Sequence, residues 1–186
     1  MDISKTSIPD LLVIEPKYHG DGRGYFAETY NHRLFADMNI PDVFVQDNHA
    51  RSETAGTLRG LHFQRPPAAQ AKLVRVVRGS IFDVAVDLRP DSPTFGAFAS
   101  VLLSEENRKQ FFVPVGFAHG YCTLEDNTEV IYKVTDYYAP DHDGGIVWND
   151  PALGIDWPLK AENIVLSEKD KVLPMLADCP KIDWTP

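Results

Sequence analysis

Two stretches of this chain gather side chains that can move protons or hold anions. The first runs Arg59-Gly60-Leu61-His62-Phe63-Gln64 and continues through Gln70-Ala71-Lys72 to Gly79. The second is Pro114-Val115-Gly116-Phe117-Ala118-His119. An unperturbed imidazole titrates near pH ~6.5, so a histidine in either stretch suits acid–base work at neutral pH. Histidines also ligate metals, but their neighbours argue against it here. Gln64 offers only a weak amide donor, and the ammonium of Lys72 repels a divalent cation. Arg23 and Arg59 both sit beside glycines, and their guanidinium forks suit phosphate oxygens. No glycine-rich dinucleotide fingerprint is visible, so no redox cofactor is expected.

The background charge makes these cations informative. The 186 residues carry a formal net charge of −9, which argues against general affinity for nucleic acid or an anionic membrane. An anionic ligand would need a local cluster of Lys and Arg working against that field. With 44% hydrophobic and 24% charged residues, one folded domain spanning residues 1–186 is expected. Cys122 and Cys179 read as reduced thiols. The segment Met1–Thr6 lacks a signal pattern, and Leu11–Ile14 is too short to span a bilayer, so a cytoplasmic protein is expected.

The elements that must position these side chains are short and β-rich. Runs at Leu11–Ile14, Tyr25–Tyr30, Val43–Asn48, Thr57–Phe63, Leu73–Val77, Ile81–Leu88, Phe95–Leu103, Gln110–Val113, Phe117–Leu124 and Val130–Thr135 are separated by turn signals. Ile81–Leu88 alternates, with Phe82, Val84, Val86 and Leu88 on one face and Ile81, Asp83, Ala85 and Asp87 on the other. Helix is confined to Asn31–Met38, capped by Asn31, and to a turn or two after Ser104. Such a string of short strands predicts an all-β sandwich, jelly roll or barrel able to enclose a ligand. Strict alternation would put Arg59 and His62 on opposite faces of their strand. Both reach one cavity only if the strand is broken near Gly60, as by a bulge.

The two stretches resemble the paired motifs of the cupin superfamily, which implies a double-stranded β-helix. In that pattern His62 and His119 occupy ligand positions, while Gln64 and Lys72 replace a His and a Glu, so the resemblance implies a cavity free of metal with a cation fixed where a metal would otherwise sit. Further strings narrow the resemblance: Asp21–Glu28, Gln46-Asp47-Asn48, Leu58–Gln64, Gly116–Gly120, Gly145–Pro151 and Leu166–Asp170. These are similar, in order and from about residue 8 to about residue 174, to the dTDP-4-dehydrorhamnose 3,5-epimerases.

The resemblance implies a role for each matching residue. His62 would be the general base, Asp170 the carboxylate that orients it, Tyr132 the proton donor on the opposite side of the sugar, and Lys72 the cation that stabilises an enolate. Nucleotide and phosphate contacts would come from Arg23, Phe26, Glu28, Gln46, Asp47, Asn48, Arg59, His119 and Lys169, and from Asp143 where the family carries a longer Glu. The substrate implied is dTDP-4-dehydro-6-deoxy-D-glucose and the product dTDP-4-dehydro-L-rhamnose, serving cell-surface polysaccharide and lipopolysaccharide synthesis. A homodimer is implied too, with an N-terminal strand completing the partner's sheet. Singly, these residues have ordinary uses: a strand Tyr packs, Lys72 is solvated, Asp170 sits in a turn, and Trp148 and Trp157 fill a core. The joint pattern overturns those readings for the proposed site residues. The rivals are an epimerase of carbon 3 or carbon 5 alone from an antibiotic pathway, a metal-dependent cupin, and a non-catalytic cupin that binds sugar nucleotides.

Overall fold

The computed structural model describes residues 1–40 and 43–185. In chain order the strands are β1 (Asp2–Lys5), β2 (Leu12–Glu15), β3 (Tyr18–Asp21), β4 (Gly24–Ala27), β5 (Gln46–Ser52), β6 (Leu58–Gln64), β7 (Lys72–Arg78), β8 (Ser80–Asp87), β9 (Phe98–Ser104), β10 (Gln110–Val113), β11 (Phe117–Thr123), β12 (Thr128–Val134) and β13 (Asp143–Gly145). The single α-helix, α1 (His32–Asp37), is capped as expected: the Asn31 side chain accepts from the backbone N–H groups of Arg33 and Leu34. Ser104 caps no helix, but its hydroxyl accepts from the Asn107 N–H in a tight turn.

Two antiparallel sheets face one another. One has the order β1-β2-β10-β7-β12-β5 and the other β13-β6-β11-β8-β9, while β3 and β4 form a separate ribbon. Alternation sends one set of side chains inward from each sheet. Val74, Val76, Phe111, Val113 and Val130 meet Ile81, Ala85, Ala99, Leu103, Phe117 and Tyr121 in the space between them. The opposite face of β8 is buried as well. Val84, Val86 and Leu88 pack under Ile146, Leu153 and Ile182 of the C-terminal stretch, with Trp157 and Trp184 alongside. On the outside of the larger sheet, Phe35 and Ile40 around α1 cover Ile14, Leu73 and Phe112. Trp148 and Trp157 pack edge to face, and the Trp157 indole donates to the Trp148 carbonyl at 2.9 Å, which is the packing role expected of them.

Gly79, alone between β7 and β8, turns the chain from one sheet to the other at φ +74°. Just beyond β8, Arg89 folds back on Asp87, which is fully buried and also accepts from Ser92 and Thr94 at 2.6 and 2.7 Å.

The observed boundaries differ from the sequence reading in a few places. Residues 43–45 precede strand β5 instead of opening it, and β5 continues to Ser52. The run expected from Tyr25 to Tyr30 stops at Ala27, and β3, β1 and β13 had no strand signal of their own. All are short, and β13 is mostly glycine, so register with a neighbour defines them where propensity does not. The N-terminal strand β1 pairs with β2 of its own chain, Ile3 opposite Ile14, and so occupies the edge of its own sheet.

Candidate active site

The barrel opens into a cavity of about 400 Å³ lined by Arg59, His62, Lys72, His119, Tyr132 and Asp170, among others. A second cavity of about 310 Å³ shares His62, Lys72, Tyr132 and Lys169 with it and extends past Gln46, Asn48, Tyr138 and Asp143.

The base candidate comes from β6. Across the ladder His62 faces His119 and Arg59 faces Tyr121, so Gly60 and Leu61 stand against Gly120 alone. That is the bulge expected near Gly60, and it turns Arg59 and His62 to the same cavity while Leu61 is buried on the other side. Gly60 is required there. Its φ is +131°, and a Cβ would lie 2.5 Å from the Gly120 Cα.

The His62 Nε2 sits 2.6 Å from Oδ1 of Asp170, in a turn that follows the last strand. With the shared hydrogen on Nε2, Nδ1 keeps the lone pair and is the basic nitrogen. Burial pushes the Asp170 carboxyl up, but hydrogen bonds from His62, from Ser167 and from the Gly60 backbone outweigh it and hold it below the ordinary carboxylate range. Asp170 therefore stays ionised and ready to stabilise an imidazolium.

The opposite wall belongs to the larger sheet. Tyr132 on β12 projects into both cavities, and burial raises its phenol while nearby Arg59 pulls the other way. Lys72, the first residue of β7, reaches the His62 carbonyl at 3.4 Å. Burial lowers its ammonium to about 8, against the attraction of Asp83 and Asp143. Lys169 pairs with Asp143 at the rim. Three cations, Arg59, Lys72 and Lys169, thus line the opening of a chain whose net charge is −9.

Gln64 has a structural task. Its amide donates to the carbonyls of Ala68 and Tyr137 at 2.7 and 3.1 Å and accepts from the Ala139 N–H at 2.8 Å, tying two loops together. A resident divalent metal does not fit this donor set. Gln64 is committed to backbone, Lys72 is cationic, and both imidazoles are bonded to carboxylates. Among the described residues no group of three or more His, Cys, Asp or Glu is placed to hold a metal ion.

Other candidates lie elsewhere. Gln46 and Asn48 face the second cavity and bond to each other at 2.9 Å. Asp47, between them, falls on the outer face by alternation and pairs with Lys133 at 2.8 Å. Arg23, Phe26 and Glu28 do not line the cavity of their own chain. Arg23 pairs with Asp21 in the turn of the β3–β4 ribbon, Phe26 is 72% exposed, and Glu28 accepts from the Asn31 amide at 3.2 Å. Two residues were missed as site residues by sequence reasoning. Asp83 is fully buried, with Oδ1 2.5 Å from Nε2 of His119; its place on the inward row of β8 was the available signal. Tyr138, 61% exposed at the cavity rim, carried no signal beyond its aromatic character.

A sequence model of the dTDP-4-dehydrorhamnose 3,5-epimerase family matches residues 5–178. The dTDP-4-dehydrorhamnose 3,5-epimerase of Salmonella typhimurium is 51% identical over 177 residues, covering 95% of this chain and 96% of that protein. The crystal structure of the dTDP-6-deoxy-D-glucose-3,5-epimerase of Legionella pneumophila, in complex with dTDP-4-keto-L-rhamnose, superposes with a TM-score of 0.92 at 47% identity, covering 96% of this chain and 94% of that one. A 3'-monoepimerase from Streptomyces bikiniensis, solved with dTDP-quinovose, is similar at a TM-score of 0.86 and 34% identity, covering 93% of this chain and 87% of that one. With a cupin barrel and a match of this extent, the chain belongs to the dTDP-4-dehydrorhamnose 3,5-epimerase family.

Proposed function

We propose that this chain is a cofactor-independent isomerase that inverts carbons 3 and 5 of dTDP-4-dehydro-6-deoxy-D-glucose to give dTDP-4-dehydro-L-rhamnose. The observation that carries the reading is a base and an acid on facing walls. His62, backed by Asp170, stands on one side, Tyr132 on the other, and Lys72 lines the same space. The ketone at carbon 4 acidifies the neighbouring C–H bonds. His62 takes the proton, and the bonding pair moves onto the carbonyl oxygen, where the Lys72 ammonium stabilises the enolate. Tyr132 then donates its hydroxyl proton to the opposite face of the carbanionic carbon. The resulting phenolate and imidazolium exchange protons with solvent, and the site is reset. Arg59 and Lys169 suit the diphosphate, and the exposed ring of Tyr138 offers a flat surface to a base.

One domain suffices for this chemistry, and a cytoplasmic homodimer accounts for the residues left over. The β3–β4 ribbon carries Arg23 and Phe26 away from their own cavity with Tyr25 and Phe26 uncovered, an arrangement suited to reaching the cavity of a second copy. The product would feed L-rhamnose synthesis for the cell surface. Inversion of a single carbon is the second reading, favoured by the likeness to a 3'-monoepimerase.

Proton NMR of the substrate incubated with purified protein in D₂O, with chelator present, tests the proposal. Deuterium entering carbons 3 and 5, with the L-configured product trapped by a reductase, is expected. Label at one carbon alone would establish the second reading, and no label at all would overturn both.

A further inference from the structure

Asp83 and Asp87 are both wholly buried on the inward row of β8, but the protein treats them differently. The oxygens of Asp87 are saturated by Arg89, Ser92 and Thr94. Asp83 has Oδ1 on Nε2 of His119 at 2.5 Å, while its Oδ2 has no partner among the described residues. The hydroxyl of buried Tyr121, directly across the ladder, has none either. A carboxylate inside an apolar barrel persists where a nearby charge compensates it. Burial holds His119 below the ordinary imidazole range, so this partner is neutral and leaves the charge of Asp83 uncancelled.

The cation that Asp83 attracts is Lys72, which shares the cavity with its partner His119. Around its ammonium stand His62 and Arg59 from β6, His119 and Tyr121 from β11, Tyr132 from β12, Asp143 from β13, and Lys169 and Asp170 from the closing segment. Of the three carboxylates, Asp143 is paired with Lys169, and Asp170 is held by hydrogen bonds from His62, Ser167 and the Gly60 backbone. Among the described residues Asp83 has neither a paired Lys or Arg nor a partner for its second oxygen. Resting on the epimerase reading above, we propose that Asp83 is a positioning residue for the reaction, holding His119 in the tautomer with hydrogen on Nε2 and keeping Lys72 an ammonium toward the enolate oxygen. That tautomer leaves Nδ1 of His119 as an acceptor for a donor in the cavity. A neutral Lys72 would lose most of its hold on an enolate.

Asp83→Asn separates the two effects, because the amide oxygen still accepts from His119 while the charge is gone. Lys72 then loses its counter-charge and gives up its proton at lower pH. The alkaline limb of kcat/KM for deuterium uptake moves down by about one pH unit, with dTDP affinity unchanged at mildly acid pH. A uniform loss of activity with the limb unmoved would reduce Asp83 to a structural residue and overturn the proposal.

Two measurements do not depend on turnover. Nitrogen-15 spectra of histidine-labelled unaltered protein should show His119 protonated on Nε2, and a hydrogen on Nδ1 instead would refute the assignment. Carbon-13 spectra of lysine-labelled protein should show Lys72 titrating lower in Asp83→Asn than in unaltered protein, and equal midpoints would refute the charge argument. If the unaltered protein takes up no deuterium at all, the epimerase reading fails while these titrations still decide the role of Asp83.

Discussion

At the scale of single residues, the site divides its labour by charge and by wall. With His62 as the proposed base, His62→Ala should lower deuterium uptake at both carbons by roughly a thousandfold or more, while calorimetric dTDP affinity stays close to that of the unaltered protein. Tyr132→Phe deletes only the opposite-face donor. Inversion should fall further than proton removal, read as washout of label outpacing product, and equal losses would take Tyr132 out of that role. In the proposed mechanism Lys72 sets the upper limit of activity. Its burial-lowered ammonium titrates at about 8, so kcat/KM should fall above that pH as the enolate loses its cation. A profile flat to pH 10 would show that Lys72 is not the stabilising charge. His62, Lys72 and Tyr132 were all singled out in the sequence, and the fold brings them to one cavity. Asp83 was not, because alternation marks it as inward-facing but says nothing about its partner. Arg23, Phe26, Glu28 and Asp47 were matched by motif, and the fold carries them to other surfaces of the same chain.

At the scale of elements, one irregular strand decides whether the site exists. The bulge at Gly60 and Leu61 brings Arg59 and His62 to one face, and Gly60 packs its backbone on Gly120. Gly60→Ala would force a Cβ against backbone at a φ reserved for glycine. It should destabilise the protein by about 2 kcal/mol or more in chemical denaturation and separate His62 from Asp170. An unchanged denaturation midpoint would show that the strand can relax around the methyl group. The sequence carried this feature as a conflict between alternation and function, with a glycine at the only place to resolve it. Strand β3 of the ribbon and the short β13 were harder to read. Their residues carry little strand propensity, and hydrogen bonding to a neighbour defines them. The central strand β8 was the clearest, since both of its faces are buried and its alternation is uninterrupted.

At the scale of the molecule, a protein of net charge −9 concentrates cations at one opening. Affinity for dTDP should therefore weaken as salt rises from 0.05 to 0.5 M, and affinity indifferent to salt would mean that the diphosphate is not held by Arg59 and Lys169. Acid stability rests on a different charge. Burial raises the Asp87 carboxyl, but hydrogen bonds from Arg89, Ser92 and Thr94 overcome this and hold it at about 2. A carboxyl depressed in the folded state stabilises above its unfolded pKa and loses that contribution as pH falls toward the folded one. Stability should thus begin to drop below about pH 4, with about 2 kcal/mol lost by pH 2, and Asp87→Asn should flatten that part of the curve. The overall architecture was readable from the spacing of short apolar runs. The cover over the outer face of β8 was not, because its packing residues lie in irregular chain without periodicity.

The position of Asp170 has a consequence for how the protein comes into being. The partner of His62 lies 108 residues further along, in a turn laid across the barrel mouth after every strand has been made. During synthesis every strand of the barrel is made before the carboxylate that meets His62. The same turn carries Lys169, so the wall of the cavity that bears this cation and the carboxylate bonded to His62 is the last part of the site to be made.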